Sequence, residues 1–194
     1  MNIEEQVIHE GLTQAADVLK SLLGNHIDSC FLQNTSGVVP ETTKKENALH
    51  LIQTELMGGF KGANFLILGQ TDVEAIFGQC LPFSVSSKDN VKNRKIKGGF
   101  LTELDSILSA SAITSYANSG NINIYGDVPS LKVMSTDRVN ALLLEEYKQY
   151  VHPLVVRVNF SCPELGASME FIWFFERALA ERIVNKNKLS TNVL

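Results

Sequence analysis

The sequence predicts an α+β fold in which two pseudo-symmetric halves, each ordered α-β-β-β-α, share a mostly antiparallel sheet with two long helices packed on it. Each half opens with a long amphipathic helical pattern, which is followed by short alternating segments typical of strands. The same order of patterns occurs twice. An offset of 97 residues places His9 on Ser106, Ala15 on Ala112 and Ile27 on Ile124. Few residues are identical, so the predicted duplication rests on order and pattern.

The first half begins with a helix whose predicted apolar face is regular and whose end is marked by a glycine. The inward positions of this helix are Ile8, Leu12, Ala15, Leu19 and Leu22. Thr71 and Asp72 are typical of a helix start. The predicted elements are a helix over 4–24, a strand over 27–32, a polar loop over 33–45, strands over 50–56 and 63–68, and a short helix through Phe77.

The second half contains a helix with two distinct faces. Glu103 and Ser106 lie one turn apart on the outer side, with small or short side chains around them. The opposite side carries Leu101, Leu104, Leu108, Ala112 and Ser115. The predicted elements are a helix from Gly99 to 118–120, strands over 122–125 and 131–134, a helix from Ser135 to Tyr147, strands over 154–160 and 169–175, and a helix over 176–184.

The chain of 194 residues is expected to form a single domain made of two repeats. The repeats would span about 1–85 and 98–186, with a basic linker over 86–97 and a frayed tail over 187–194. The linker region carries Lys88, Lys92, Arg94, Lys95 and Lys97 against a single carboxylate, Asp89. Because no aromatic residues are interleaved with these cations, the segment is interpreted as solvated rather than as a nucleic-acid arm. It could also steer an acidic protein partner.

Composition excludes several classes of function. The net charge of −4 gives no overall attraction to nucleic acid or to an anionic membrane. We find neither an apolar run long enough to insert in a membrane nor a secretory signal, so a cytoplasmic protein is expected. Cys30, Cys80 and Cys162 are widely spaced and predict free thiols. The four histidines lack ligand spacing, so neither a metal nor another cofactor is predicted.

Three segments together resemble the CheC family of chemotaxis proteins, whose relatives include CheX and FliY. They are the long helix before NINIYGDVPSL, the run GGFKGANFLILGQTDVEAIF, and VVRVNFSCPE. The family dephosphorylates the response regulator CheY. Its motif is an acidic residue or Ser, three residues, Glu, two residues, Asn, then twenty-two residues and Pro. Here Glu103 stands at the Glu position, Ser106 at the Asn position and Pro129 at the Pro position, while Gly99 replaces the leading residue.

The first half carries a more divergent version of the motif. Gln6 and His9 stand at the Glu and Asn positions, and Leu32 replaces the Pro. In the family, Glu pairs with an active-site Lys of the receiver, and Asn positions the water that attacks the aspartyl phosphate. Positioning and electrostatics supply most of the catalysis in phosphoryl transfer. The hydroxyl of Ser106 is shorter than a carboxamide and positions water less rigidly.

The resemblance leaves three functions open. The first is a binding module that anchors a CheY-type receiver through Glu103 with weak or lost phosphatase activity. The second is an active phosphatase that uses Glu103 and Ser106, or Gln6 and His9. The third is a non-catalytic scaffold that binds a CheD-like deamidase or forms a homodimer. No cofactor is implied, because the Mg²⁺ of such a reaction is held by the receiver.

Overall fold

The computed structural model describes residues 3–24, 26–34, 39–179 and 181–182, with the side chains of 3–8 and 30–34 outside the description. Its helices are α1 (Ile3–Leu23), α2 (Gln70–Cys80), α3 (Phe83–Ser86), α4 (Val91–Gly120) and α5 (Thr136–Lys148). Its strands are β1 (Asp28–Asn34), β2 (Leu49–Gly58), β3 (Gly62–Leu68), β4 (Ile124–Gly126), β5 (Ser130–Met134), β6 (Leu154–Cys162) and β7 (Ala167–Phe175).

The seven strands form one sheet in the order β1-β6-β7-β3-β2, with β4 and β5 both pairing with β2. Every pairing is antiparallel. The order is symmetric about the central pair β3 and β7, because the first strand of each half lies beside the hairpin of the other half. The predicted fold class is therefore confirmed. The limits proposed for the two repeats stay a prediction.

The sheet is covered on both faces. One face packs against α1, α2 and α4 in the larger apolar core. The other face packs against α5 through Val139 and Leu143. All seven residues of β3 are buried as a result, which explains why its sequence, GANFLIL, lacks the alternation expected of a half-exposed strand.

The helix α4 begins at Val91, eight residues before the predicted start at Gly99. The side chain of Asn90 caps it by accepting a hydrogen bond of 2.9 Å from the backbone amide of Asn93. The side-chain amide of Asn93 donates in turn to the carbonyl of Ser84 at 3.0 Å. Residues 91–97 therefore form the first turns of a helix, where the sequence analysis placed a basic linker.

Two smaller expectations also differ from the structure. The N-cap of α2 is Gly69 rather than Thr71, and Asp72 accepts a hydrogen bond of 2.8 Å from the Gly69 amide. The inward position at the end of α1 is Leu23, which is buried, whereas Leu22 is 42% exposed. The first difference is a small shift of a helix boundary, which pattern alone locates poorly. The second is a change of one position in which side chain faces the core.

The last predicted helix is present in part, since residues 177–179 and 181–182 are helical. The expected frayed tail over 187–194 lies outside the described residues. Among the helices that the structure describes, none is long and apolar enough to cross a membrane.

The two long helices approach each other closely where Gly11 of α1 meets Tyr116 of α4. A Cβ atom built on Gly11 would lie 2.7 Å from Cε1 of Tyr116. The Tyr116 ring is fully buried and packs edge-on against Trp173 at 5.8 Å and Phe175 at 5.3 Å between ring centroids. It therefore has little room to move away.

We predict that Gly11→Ala destabilises the protein even though alanine is the better helix former. The added methyl group overlaps a ring held by its neighbours, and such overpacking costs about 1–3 kcal/mol. Gly99→Ala on α4 is the control, because nothing lies within 4 Å of the added Cβ atom, and it should stabilise by up to ~1 kcal/mol. Urea denaturation measures both. Equal stabilisation by the two variants would contradict the close helix crossing.

Candidate functional site

The outer face of α4 consists of Glu103, Ser106, Ile107, Ala110 and Thr114. Glu103, Ala110 and Thr114 are exposed, while Ser106 and Ile107 are half-buried. Because the other side chains are short or partly buried, the carboxylate of Glu103 is the largest polar group that projects from this face.

Glu103 is available to an external cation. Within the described part of the chain, no Lys, Arg or His nitrogen lies within ion-pair distance of its carboxylate. Ser106 follows at a spacing of three residues, which brings its hydroxyl next to Glu103 on the helix surface. The pair thus offers one charged acceptor and one hydroxyl, side by side, to whatever binds this face.

The buried side of α4 contains a polar cluster in the middle of the apolar core. Thr54 of β2 donates a hydrogen bond of 2.6 Å to the carboxyl of Asp105, which has no exposed surface. Asn64 of β3 donates a hydrogen bond of 2.9 Å to the hydroxyl of Ser109. These contacts join α4 to two neighbouring strands of the sheet at fixed points.

Burial raises the pKa of the Asp105 carboxyl to about 7, and hydrogen bonds from Thr54 and Ser109 oppose part of the rise. A carboxyl in this position resists ionisation because no cation replaces the water it has lost. Near neutral pH the Asp105 carboxyl is therefore protonated in part of the molecules and ionised in the rest. Burial likewise raises the pKa of Tyr116, farther along the same side of the helix.

The buried cluster also determines which residues α4 presents to solvent. Asp105 lies between Glu103 and Ser106 in the sequence, and successive helical residues are rotated by about 100°. With Asp105 held against the sheet by Thr54, the side chain of Glu103 points away from the sheet, and that of Ser106 projects sideways and is half-buried. Asp105 is thus a positioning residue for the outer face.

The candidate site of the first half is described only in part. Gln6 lies in α1, but its side chain is outside the description, as is that of Leu32. His9 is half-buried and is not free of contacts within the protein. Its carbonyl accepts a hydrogen bond of 2.8 Å from the Thr13 hydroxyl. The structure therefore brings Glu103 and Ser106 together and leaves the pairing of Gln6 with His9 a prediction.

The remaining motif positions and thiols have ordinary surroundings. Gly99 is exposed, and Pro129 is half-buried between β4 and β5. Cys80 and Cys162 are free thiols, whereas the side chain of Cys30 is not described. Over the described ranges, no group of three or more His, Cys, Asp or Glu side chains is arranged to hold a metal ion.

The buried cluster is not among the predicted site residues, although two signals in the sequence point to it. Asp105 follows Leu104 and stands four residues after Leu101, which places a carboxyl on the apolar side of the helix. Asn64 interrupts a strand that is otherwise apolar. A polar residue on a buried face needs a partner, so these two residues together predict a hydrogen-bonded contact between helix and sheet.

Comparison with protein-family models finds no match, and comparison with curated protein sequences finds none either. Comparison with solved structures does find similar folds. Thermotoga maritima FliY has a TM-score of 0.64 at 19% identity, over 94% of this chain and 94% of that chain. The structure of CheX from Borrelia burgdorferi, in a complex with CheY, BeF3 and Mg²⁺, has a TM-score of 0.58 at 14% identity, over 87% of this chain and 97% of that chain.

The similarity extends to a third protein. The FliM middle domain of Vibrio alginolyticus has a TM-score of 0.54 at 11% identity, over 94% of this chain and 99% of that chain. The resemblance inferred from sequence motifs is thus confirmed for the fold, which this chain has in common with CheX, FliY and FliM.

We predict that Asp105→Asn flattens the dependence of stability on pH. The folded-state pKa of about 7 exceeds the ordinary value of 3.8, so the folded state holds this proton more tightly than the unfolded state. The stabilisation of the folded state by this proton is fully present below about pH 4 and is lost as the pH rises through about 7. The resulting loss of unfolding free energy is of the order of a few kcal/mol. Asparagine does not titrate, so the variant avoids this loss, and its side-chain oxygen still accepts the hydrogen bond from Thr54.

Unfolding free energies of the natural chain and of Asp105→Asn, measured by urea denaturation at pH 5 and pH 8, test this prediction. The variant should lose much less stability between the two pH values. If both proteins lose the same amount, the titrating group is not Asp105.

Proposed function

We propose that this protein is a CheC-like chemotaxis protein that binds a CheY-type receiver domain through the outer face of α4, with weak or lost aspartyl-phosphate phosphatase activity. The observation that carries the proposal is the arrangement of Glu103 and Ser106. They stand at two motif positions and lie one turn apart, with Glu103 exposed and Ser106 half-buried, on a helix fixed to the sheet from its other side. Such a role places the protein in the cytoplasm.

The fold supports this choice of partner, since one similar structure is a CheX in a complex with CheY. In our proposal the carboxylate of Glu103 pairs with a cation of the receiver. Ionised groups form the stronger hydrogen bonds across an interface, and Glu103 has no competing cation among the described residues. The short side chains of Ser106 and Ala110 leave room beside Glu103 for a partner to approach.

The expected loss of catalysis follows from the chemistry of Ser106. Hydrolysis of an aspartyl phosphate requires a water in line with the phosphorus, and holding that water is the main task left to the protein. A carboxamide offers both a donor and an acceptor at the end of a longer side chain. The side chain of Ser106 is short and half-buried. Its hydroxyl therefore reaches less far than an asparagine carboxamide towards the phosphoryl group of a bound receiver.

Active phosphatase function is the second candidate. It would use Glu103 with Ser106, or the face around Gln6 and His9. A hydroxyl can hold a water when the partner supplies the rest of the geometry, so the two functions differ in rate rather than in docking. A measured rate decides between them.

A non-catalytic scaffold is the third candidate, and the likeness to the FliM middle domain favours it, because the same fold is not restricted to CheX and FliY. Such a protein would bind a CheD-like deamidase or a second copy of itself. In the described part of the sheet, β1 pairs with β6 alone and β5 with β2 alone. Strand addition to either edge would therefore form a homodimer.

We predict that the natural chain binds a BeF3-activated CheY-type receiver and barely accelerates the decay of its aspartyl phosphate. Glu103→Ala should weaken binding about tenfold or more, because it removes one charge-assisted contact. Ser106→Asn should raise the decay rate on the order of a hundredfold, because it restores a group that positions water. Calorimetry measures the binding, and loss of phosphate from the receiver measures the rate.

Two variants serve as matched controls. Glu145→Ala removes an exposed carboxylate from α5, on the other side of the sheet. Ala141→Asn places a carboxamide at an exposed position of the same helix α5. Neither should affect binding or decay. Rapid decay with the natural chain, abolished by Glu103→Ala, would instead establish the active phosphatase. If neither the natural chain nor any variant binds the receiver, the non-catalytic scaffold remains as the candidate function.

A further inference from the structure

The outer face of α4 continues towards the start of the helix into a basic region. Lys92 precedes Glu103 by eleven residues, and Lys95 precedes Ser106 by the same number. Eleven residues are close to three helical turns. Lys92 therefore lies on the same side of the helix as Glu103, and Lys95 on the same side as Ser106, each about 16 Å away along the axis. Ile96 lies two turns before Glu103 and is 39% exposed.

Other cations of this segment are engaged in holding the local structure. Arg94 donates to Asp89 at 2.7 Å. Lys97 donates to the carbonyl of Ser86 at 2.9 Å, and its ammonium lies 5.6 Å from the centre of the Phe77 ring. These two side chains line a groove between α2, α4 and β5 on the side of α4 away from Glu103. They fix the corner between α3 and α4.

Lys92 and Lys95 have no such role. Both are exposed, and among the described residues neither has a carboxylate within ion-pair distance. Lysine ammonium groups that are not needed for folding are free to pair with a partner. The whole chain carries a net charge of −4, so this local excess of positive charge stands out against the rest of the molecule.

We propose that Lys92, Lys95 and Ile96 form a basic extension of the outer face and bind an acidic patch on the surface of a protein partner. The proposal rests on the proposed function, since it assumes that the same face docks a receiver through Glu103. It adds a geometric requirement. The partner must present carboxylates about 16 Å, along the line of α4, from the cation that pairs with Glu103.

The sign of the charges favours a protein surface over an anionic membrane. Glu103 lies in line with the lysines on the same face and would be repelled by a uniformly anionic lipid surface. Two lysines also fall short of the clusters of 4–8 basic residues that are typical of lipid binding. A protein partner can place acidic groups opposite Lys92 and Lys95 and a cation opposite Glu103.

The test compares Lys92→Glu/Lys95→Glu with Lys132→Glu/Lys148→Glu, which makes the same change of charge at exposed lysines of β5 and α5. Three probes are used: a BeF3-activated CheY-type receiver, poly-L-glutamate, and vesicles of phosphatidylglycerol and phosphatidylcholine. At about 50 mM salt the first variant should associate with the receiver about tenfold more slowly than the natural chain. The control should stay within about twofold, and the difference should shrink at high salt.

Poly-L-glutamate separates this proposal from the proposed function. It should bind the natural chain and the control at low salt, and Lys92→Glu/Lys95→Glu should abolish this binding. If the receiver does not bind while poly-L-glutamate behaves in this way, the receiver proposal fails and the acidic-protein site remains. If the first variant associates with the receiver or with poly-L-glutamate as fast as the natural chain, the basic extension is overturned. Binding to vesicles without binding to poly-L-glutamate would also overturn it.

Discussion

The hydrogen bond from Thr54 to the buried carboxyl of Asp105 fixes the rotation of α4 on the sheet. The contact between Asn64 and Ser109, one turn farther along, adds a second fixed point. An apolar interface alone tolerates small rotations and shifts of a helix, because many packings have similar energies, whereas a buried polar group must keep its partner. The direction in which Glu103 and Ser106 project is therefore determined by groups on the opposite side of the same helix.

The symmetry of the sheet explains why the molecule has two related long helices on one face. Each half contributes its first strand beside the hairpin of the other half, so neither half can complete its sheet alone. The long helices are then brought together on one face, where Gly11 permits contact with Tyr116. Within this shared framework the two halves diverge at the motif positions, where α4 carries Glu103 and Ser106 and α1 carries Gln6 and His9.

The features that follow from a regular residue pattern could be predicted from the sequence. Those that depend on a single contact between distant residues could not. The 3.6-residue periodicity of α4 placed Glu103 and Ser106 correctly on its outer side. The start of α4 was predicted too late because Gly98 and Gly99, with several lysines before them, are typical of a linker. The cap at Asn90 and the return contact of Asn93 to residue 84 extend the helix regardless. Asp105 was missed because its burial depends on Thr54, which is 51 residues away in the sequence.

In the proposed function a receiver docks on the outer face of α4. Amide chemical-shift mapping of the labelled protein, with and without a BeF3-activated CheY-type receiver, locates the docking surface. We expect the shifted resonances to cluster on one side of α4, from Lys92 and Lys95 through Glu103, Ser106 and Ala110, while α5 is unchanged. Shifts centred on α5 or on the free edge of β5, with α4 unchanged, would contradict it.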